Sequence, residues 1–194
     1  MNNRKRQSGY SLAEMLTVVA IIGVLALVMV PNFMSFYESN KMKTTMRNFT
    51  SDLRTVRQLS ISQGKQAMIV YGTGTTARTY DIWLGDKAFN SVNWTPKTGP
   101  NANPPSATKT LDTIAYFPTG AALQTFTDAL DCSSGTNCVA GNDGRIEVIF
   151  APDGRVQLPV AATSGTITLQ TDQTRIPKPI YTVTVSPTGR VQAQ

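Results

Sequence analysis

Arg4-Lys5-Arg6-Gln7-Ser8-Gly9-Tyr10-Ser11-Leu12-Ala13-Glu14, followed by an almost unbroken apolar run from Met15 to Val30, decides the architecture of this 194-residue chain. About twenty helical residues cross a bilayer core roughly 30 Å thick. The run from Leu12 to Val30 has that length. The three cations before it place the N-terminus in the cytoplasm by the positive-inside rule, and the bulk of the chain across the membrane. Glu14 is the anomaly. A lone carboxylate in lipid costs about 2–4 kcal/mol on insertion scales, less near the interface, so such a residue marks function and needs a partner. A cleaved secretory signal would require a small-x-small site after the apolar core. Val28-Met29-Val30-Pro31-Asn32-Phe33 has none, so the segment is expected to be retained.

Pro31 ends the apolar run but not the helical pattern. Met42, Met46, Phe49, Leu53 and Val56 recur at spacings of four, three, four and three, one apolar stripe of an amphipathic helix. A mid-helix proline costs about 3 kcal/mol and bends the helix rather than necessarily stopping it. The expected helix runs from Ser11 to about Ser62, with Gly64 as its C-cap, a length of roughly 75 Å. The Met/Phe stripe reads as core. Arg47, Arg54 and Arg57 fall on other faces and read as a solvated or contact surface.

Beyond Gly64 the period changes. Runs rich in β-branched and aromatic residues, bounded by Gly, Pro, Asn or Asp, predict strands at Gln66–Tyr71, Thr79–Leu84, Thr113–Phe117, Arg145–Phe150, Arg155–Leu158, Thr166–Gln170 and Tyr181–Val185. Their connections suit an antiparallel sheet. Asn90–Thr108 is rich in Pro, Asn, Thr and Ser and reads as a long surface loop. Two segments resemble each other: Phe150-Ala151-Pro152-Asp153-Gly154-Arg155-Val156-Gln157 and Val185-Ser186-Pro187-Thr188-Gly189-Arg190-Val191-Gln192. Each places Pro and Gly in a tight turn and then restarts a strand.

Composition narrows the chemistry. The net charge is +6, three of it from the leader. The remainder is mildly basic and does not read as a strong polyanion binder. There is no histidine. That excludes His-dependent triads, Cys-His dyads and most zinc catalysis. Paired-carboxylate and phosphate-loop motifs are missing too, so no enzyme, no cofactor and no metal site is expected. Cys132 and Cys138 bracket a five-residue polar loop. In an exported domain that spacing favours a disulfide pinning a surface loop, with two free thiols as the alternative.

Gly9, an aromatic at Tyr10, a glutamate four residues on at Glu14 and the apolar run resemble the class III signal of type IV pilins and type II secretion pseudopilins. Tyr10 stands where that family most often has Phe, and Ala13 where it often has Ile or Val. The resemblance implies cleavage between Gly9 and Tyr10 by a prepilin peptidase and N-methylation of Tyr10. Glycine, lacking a side chain, suits an extended backbone entering an active site. It implies that the new ammonium of Tyr10 on a neighbouring subunit pairs with Glu14 during assembly, an opposite charge within about 4–6 Å favouring the ionised acid.

The implied organisation is a leader at 1–9, a transmembrane or filament-core helix at 10–31, an amphipathic helix at 32–64 packed on the sheet, and an extracytoplasmic β-rich domain at 65–194. The fold is α+β: a long N-terminal helix, transmembrane in its first half, packed on an antiparallel β-sheet domain. The Pro-x-Gly-Arg-Val turn near the C-terminus and Arg54-Thr55-Val56-Arg57 also resemble the GspH/FimT branch. That implies a minor subunit near the tip of a type II secretion pseudopilus or type IV pilus, priming assembly with other pilins or pseudopilins at the inner membrane. The alternative is a DNA-binding minor pilin of the FimT kind. Its cations here would be Arg175, Lys178 and Arg190, few for a mode whose affinity grows with the number of phosphate contacts.

Overall fold

A computed structural model of the chain describes residues 11–96, 108–112, 114–119, 126, 130–131, 139–140, 143–158, 163–171 and 180–194. It divides into two compact units, 1–40 and 41–194.

One helix, α1 (Leu12–Gln63), takes 52 residues and continues through Pro31. It stops as its sequence predicts. Gly64 adopts φ 62, the amide of Lys65 reaches back to Ser60 O (3.3 Å) and that of Gly64 to Ile61 O (3.4 Å). This is the left-handed cap that glycine reaches without a Cβ penalty and that satisfies the last carbonyls.

Within the unit 41–194 the predicted stripe is the core. Met42, Met46, Phe49, Leu53 and Val56 are buried, the last three completely. They pack with Ala67, Ile69, Tyr71, Ile82, Phe117, Val148, Phe150, Ile167, Leu169 and Val183. Phe49 is the hub of the aromatic contacts: its ring stands edge-on to Tyr80 (centroids 5.1 Å) and to Phe117 (5.4 Å), and Phe117 also meets Tyr71 at 4.4 Å. Edge-to-face geometry sets the positive rim of one ring against the negative face of the next.

The strands are β1 (Ala67–Gly72), β2 (Thr79–Gly85), β3 (Trp94–Pro96), β4 (Lys109–Thr110), β5 (Ala115–Tyr116), β6 (Leu130–Asp131), β7 (Val139–Ala140), β8 (Arg145–Phe150), β9 (Gly165–Thr171), β10 (Ile180–Val185) and β11 (Val191–Ala193). All described pairings are antiparallel, but the expected sheet is split. One sheet has the order β3-β2-β1-β8 with β4 on β2, a second has β11-β10-β9-β5, and β6 and β7 form a separate hairpin. β1 is central and covered on both faces. Ala67, Ile69 and Tyr71 point to the helix-side core, while Met68 and Val70 join Trp83, Trp94 and Ile149 on the other face. A strand buried on both sides loses the apolar/polar alternation of a half-exposed one, which is why Ala67-Met68-Ile69-Val70-Tyr71 reads as an unbroken apolar run.

Two expectations change. Trp94–Pro96 forms β3 inside the stretch read as loop. Arg155–Leu158 is no ladder strand: only Val156 bridges to Phe150, and its amide donates instead to Pro187 O (3.2 Å), on the other of the two similar segments.

Two buried phenols give the unit an alkaline limit. Desolvation raises the Tyr71 phenol well above its ordinary 10.0, with the charge of Glu147 adding to it. Burial does the same for Tyr80, helped by the hydrogen bond its hydroxyl donates to Asp52 Oδ2 (2.5 Å) and by that carboxylate's charge. The unfolded chain releases these protons near pH 10 while the folded one retains them. Stability is therefore fully present below about pH 10 and falls above it, by about 1.4 kcal/mol per pH unit for each tyrosine. Urea midpoints between pH 8 and 11.5 should show the fall, and Tyr71→Phe with Tyr80→Phe should flatten it.

Candidate functional site

Three local arrangements stand out. The first is the start of α1. From Leu12 to Val30 every side chain is exposed, Leu12 and Leu27 at 78%. At 1.5 Å per residue this stretch measures about 28 Å, close to a bilayer's hydrocarbon thickness. It is long and apolar enough to cross a membrane. A helix whose side chains are apolar on every face and exposed needs an apolar surrounding. The one hydroxyl, Thr17, is already satisfied: it donates to Ala13 O at 2.7 Å. Such internal satisfaction is what hydrocarbon demands of a polar group.

Glu14 is the third residue of α1 and lies in its first turn. The amides of Glu14 and Met15 close on Ser11 O (3.1 and 3.2 Å). The exposed carboxylate thus sits at the positive end of the helix dipole, and among the described residues no cation pairs with it. Gly9 and Tyr10 lie outside the described residues.

The second is a clamp that sequence reading missed. The two similar segments fold into congruent turns. In one, Ala151 N donates to Arg155 O (2.8 Å) and Gly154 N to Ala151 O (2.9 Å); in the other, Ser186 N donates to Arg190 O (2.9 Å) and Gly189 N to Ser186 O (2.8 Å). Gly154 and Gly189 adopt φ 79 and 76, the left-handed region that a Cβ disfavours. The turns also stack. A Cβ on Gly189 would lie 2.0 Å from Gly154 O.

Arg57 ties both turns to α1, Nε donating to Gly154 O (3.0 Å) and Nη2 to Thr188 O (3.1 Å). Arg54 Nη2 donates to Val191 O (3.1 Å), on the edge strand β11. Both guanidiniums, read from helical spacing as part of a solvated or contact surface, are hydrogen-bonded to carbonyls of their own chain. A planar fork of donors is suited to bridging two carbonyls at once. The repeated Pro-x-Gly-Arg-Val was the legible signal; its partner, 97 and 131 residues away, was not.

The third is a charged knot on the opposite flank of α1. Asp52 accepts from Tyr80 and Lys109, and Lys41 lies 3.6 Å from Asp112. These contacts fasten β2 and β4 to the helix and neutralise Asp52.

Of the other predicted site residues, Arg190 is the one described. Arg190 is exposed in the second turn, its amide donating to Ser186 Oγ (3.0 Å). Arg175, Lys178, Cys132 and Cys138 lie outside the described residues. The β6–β7 register, Leu130 opposite Ala140 and Asp131 opposite Val139, brings the chain to within one residue of each cysteine.

Residues 4–30 match the family described as the prokaryotic N-terminal methylation motif. The type IV major fimbrial protein FimA of Dichelobacter nodosus is 33% identical over 84 residues, 42% of this chain and 53% of that protein. The chain thus spans about half the length of this curated relative. No solved structure matches significantly. The methylation motif over the exposed apolar helix, the α+β architecture and the fimbrial relative support a type IV pilin-like protein.

Proposed function

We propose that the chain is a structural subunit of a pilin-type filament. Leu12–Val30 holds it in the inner membrane with the N-terminus cytoplasmic and the unit 41–194 in the periplasm. A prepilin peptidase cuts between Gly9 and Tyr10 and the new amine is methylated. The subunit then leaves the bilayer for a filament, where its apolar helix exchanges lipid for neighbouring helices. The observation that carries this is an acid in the first turn of a membrane-length helix that nothing in its own unit covers, under a methylation motif. The freshly exposed ammonium of a neighbouring Tyr10 supplies the missing countercharge for Glu14, and methylation keeps that charge.

The finer reading is a minor subunit near the tip of a pseudopilus or pilus, working with other pilins and turning over no substrate. What supports it is the Pro-x-Gly-Arg-Val turn near the C-terminus. The loop between β6 and β7 is fixed by a Cys132–Cys138 disulfide, worth about 2–3 kcal/mol for so small a ring.

Mass spectrometry of the membrane-extracted chain tests the processing. The expected N-terminus is Tyr10 bearing one added methyl group. An intact leader in cells with active peptidase would overturn the proposal.

A further inference from the structure

α1 carries no charged residue between Glu14 and Glu38. That stretch, 15–37, measures about 34 Å of helix, a few ångströms more than a hydrocarbon core of roughly 30 Å. The surplus lies past Val30, where the membrane-length window closes, and there the sequence changes character. Residues 15–32 contain no aromatic ring; Phe33, Phe36 and Tyr37 then follow close together. All three are open to their surroundings, at 68%, 64% and 54% exposure, and Met34 among them is exposed as well. At about 100° per residue, Phe33, Met34, Phe36 and Tyr37 share one arc of the helix, and Asn32, Ser35 and Glu38 take the arc left over. The span before Val30 is apolar on every face; the turns after it are two-faced.

What covers the rings is set by what precedes them. The helix is continuous from Val30 through Tyr37, so the lipid around the span continues along it with no charge to interrupt it. A two-faced helical stretch settles at the boundary of headgroups and acyl chains, apolar side down. Aromatic side chains suit that layer, and a phenol adds a hydroxyl that stays wet while its ring stays in lipid. A tilted helix also leaves a bilayer one side at a time. The side leaning on the membrane keeps its lipid after the other has emerged, and the ring arc and the polar arc match those two sides.

We propose that Phe33, Phe36 and Tyr37 form an aromatic seat that holds the outer end of α1 in the headgroup layer of the periplasmic leaflet, its ring-bearing side leaning into the lipid. The inference rests on the membrane reading above and adds the depth and the lean of the helix. Phe33 stands nineteen residues after Glu14, about 28 Å along the axis. Rings seated at the outer boundary therefore set Glu14 at the inner boundary of the hydrocarbon, where a carboxylate costs least.

The test uses the full chain in vesicles of phosphatidylethanolamine and phosphatidylglycerol, their acyl chains brominated either near the headgroup or near the methyl end. The emission of Phe36→Trp should be quenched at least about twofold more by the shallow bromines than by the deep ones, and that of Val24→Trp the reverse. Trp83 and Trp94, buried within the unit 41–194, supply a constant background. Ser35→Trp, one residue away on the other arc, should be quenched about twofold less than Phe36→Trp by the shallow lipid. If Phe36→Trp escapes both lipids, whether its emission reports water or the cover of another chain, while Val24→Trp is quenched as stated, the seat is overturned and the membrane span stands. Deepest quenching at position 36, or equal quenching at 35 and 36, overturns the seat as well. If Val24→Trp escapes both lipids, span and seat fall together.

Discussion

Gly189→Ala is expected to destabilise the unit 41–194 by about 3–5 kcal/mol, more than any other methyl addition at the turn glycines. The new Cβ would lie 2.0 Å from Gly154 O and 2.7 Å from Arg57 Nε. A backbone carbonyl cannot swing aside as a side-chain tip can. The second turn must lift off the first, which stretches the bond from Val156 N to Pro187 O and that from Arg57 Nη2 to Thr188 O. A neutral bond is worth about 0.5–1.5 kcal/mol and one from a charged donor about 1.5–3. Left-handed strain adds about 1–2 kcal/mol.

The other glycines calibrate the result. Gly144 has φ 81 and open space around its would-be Cβ, so Gly144→Ala should show the strain alone, about 1–2 kcal/mol. Gly154→Ala would meet Ile61 Cδ1 at 3.1 Å and Arg57 at 3.2 Å, both flexible side chains, and should fall between. Urea unfolding of the three variants in detergent checks the order. Equal losses at 144 and 189 would mean that the stacked turns contribute nothing.

Glu14→Leu is expected to leave membrane insertion intact and to cut recovery in filaments at least thirtyfold, the equivalent of about 2 kcal/mol. Leucine removes the cost of a carboxylate in hydrocarbon, so the variant should sit in the bilayer more comfortably than the parent. What it removes under the proposed assembly is the countercharge for a neighbour's amine. That amine would then be buried unpaired, which is the expensive half of breaking an ion pair. Glu14→Asp keeps the charge on a shorter stem and should recover part of the loss. The measurement is the ratio of chain in sheared filaments to chain in membranes. A ratio unchanged by Glu14→Leu would remove the role assigned to this residue.

The parts of this fold that were legible beforehand are local ones. Met42 to Val56 recur within one helix, so burial of that face needs only the 3.6-residue period. Gly64 caps because the last carbonyls of the helix just before it need donors, also a local matter. Arg145–Phe150 was readable as a strand for a similar reason. The division into two sheets was not. β8 and β9 carry similar apolar alternation, and nothing local says that one joins β1 and the other β10. The clamp was hidden by distance in the chain: Arg57 on a polar helix face looks the same whether it meets water or two carbonyls. At the N-terminus the reverse holds. The motif around Gly9, Tyr10 and Glu14 is short, contiguous and chemically odd, so it stands out without any structure.

Arg54 carries a last consequence. The second sheet ends at β11, and its final strand would otherwise offer an open row of backbone groups to any passing extended chain. The Val191 carbonyl on that border is already engaged by a guanidinium, and a bulky cation stands where an intruding strand would have to lie. A subunit proposed to polymerise through its helices gains from a border that refuses growth through its sheets. Arg54 thus occupies one outward acceptor through which this sheet would otherwise extend.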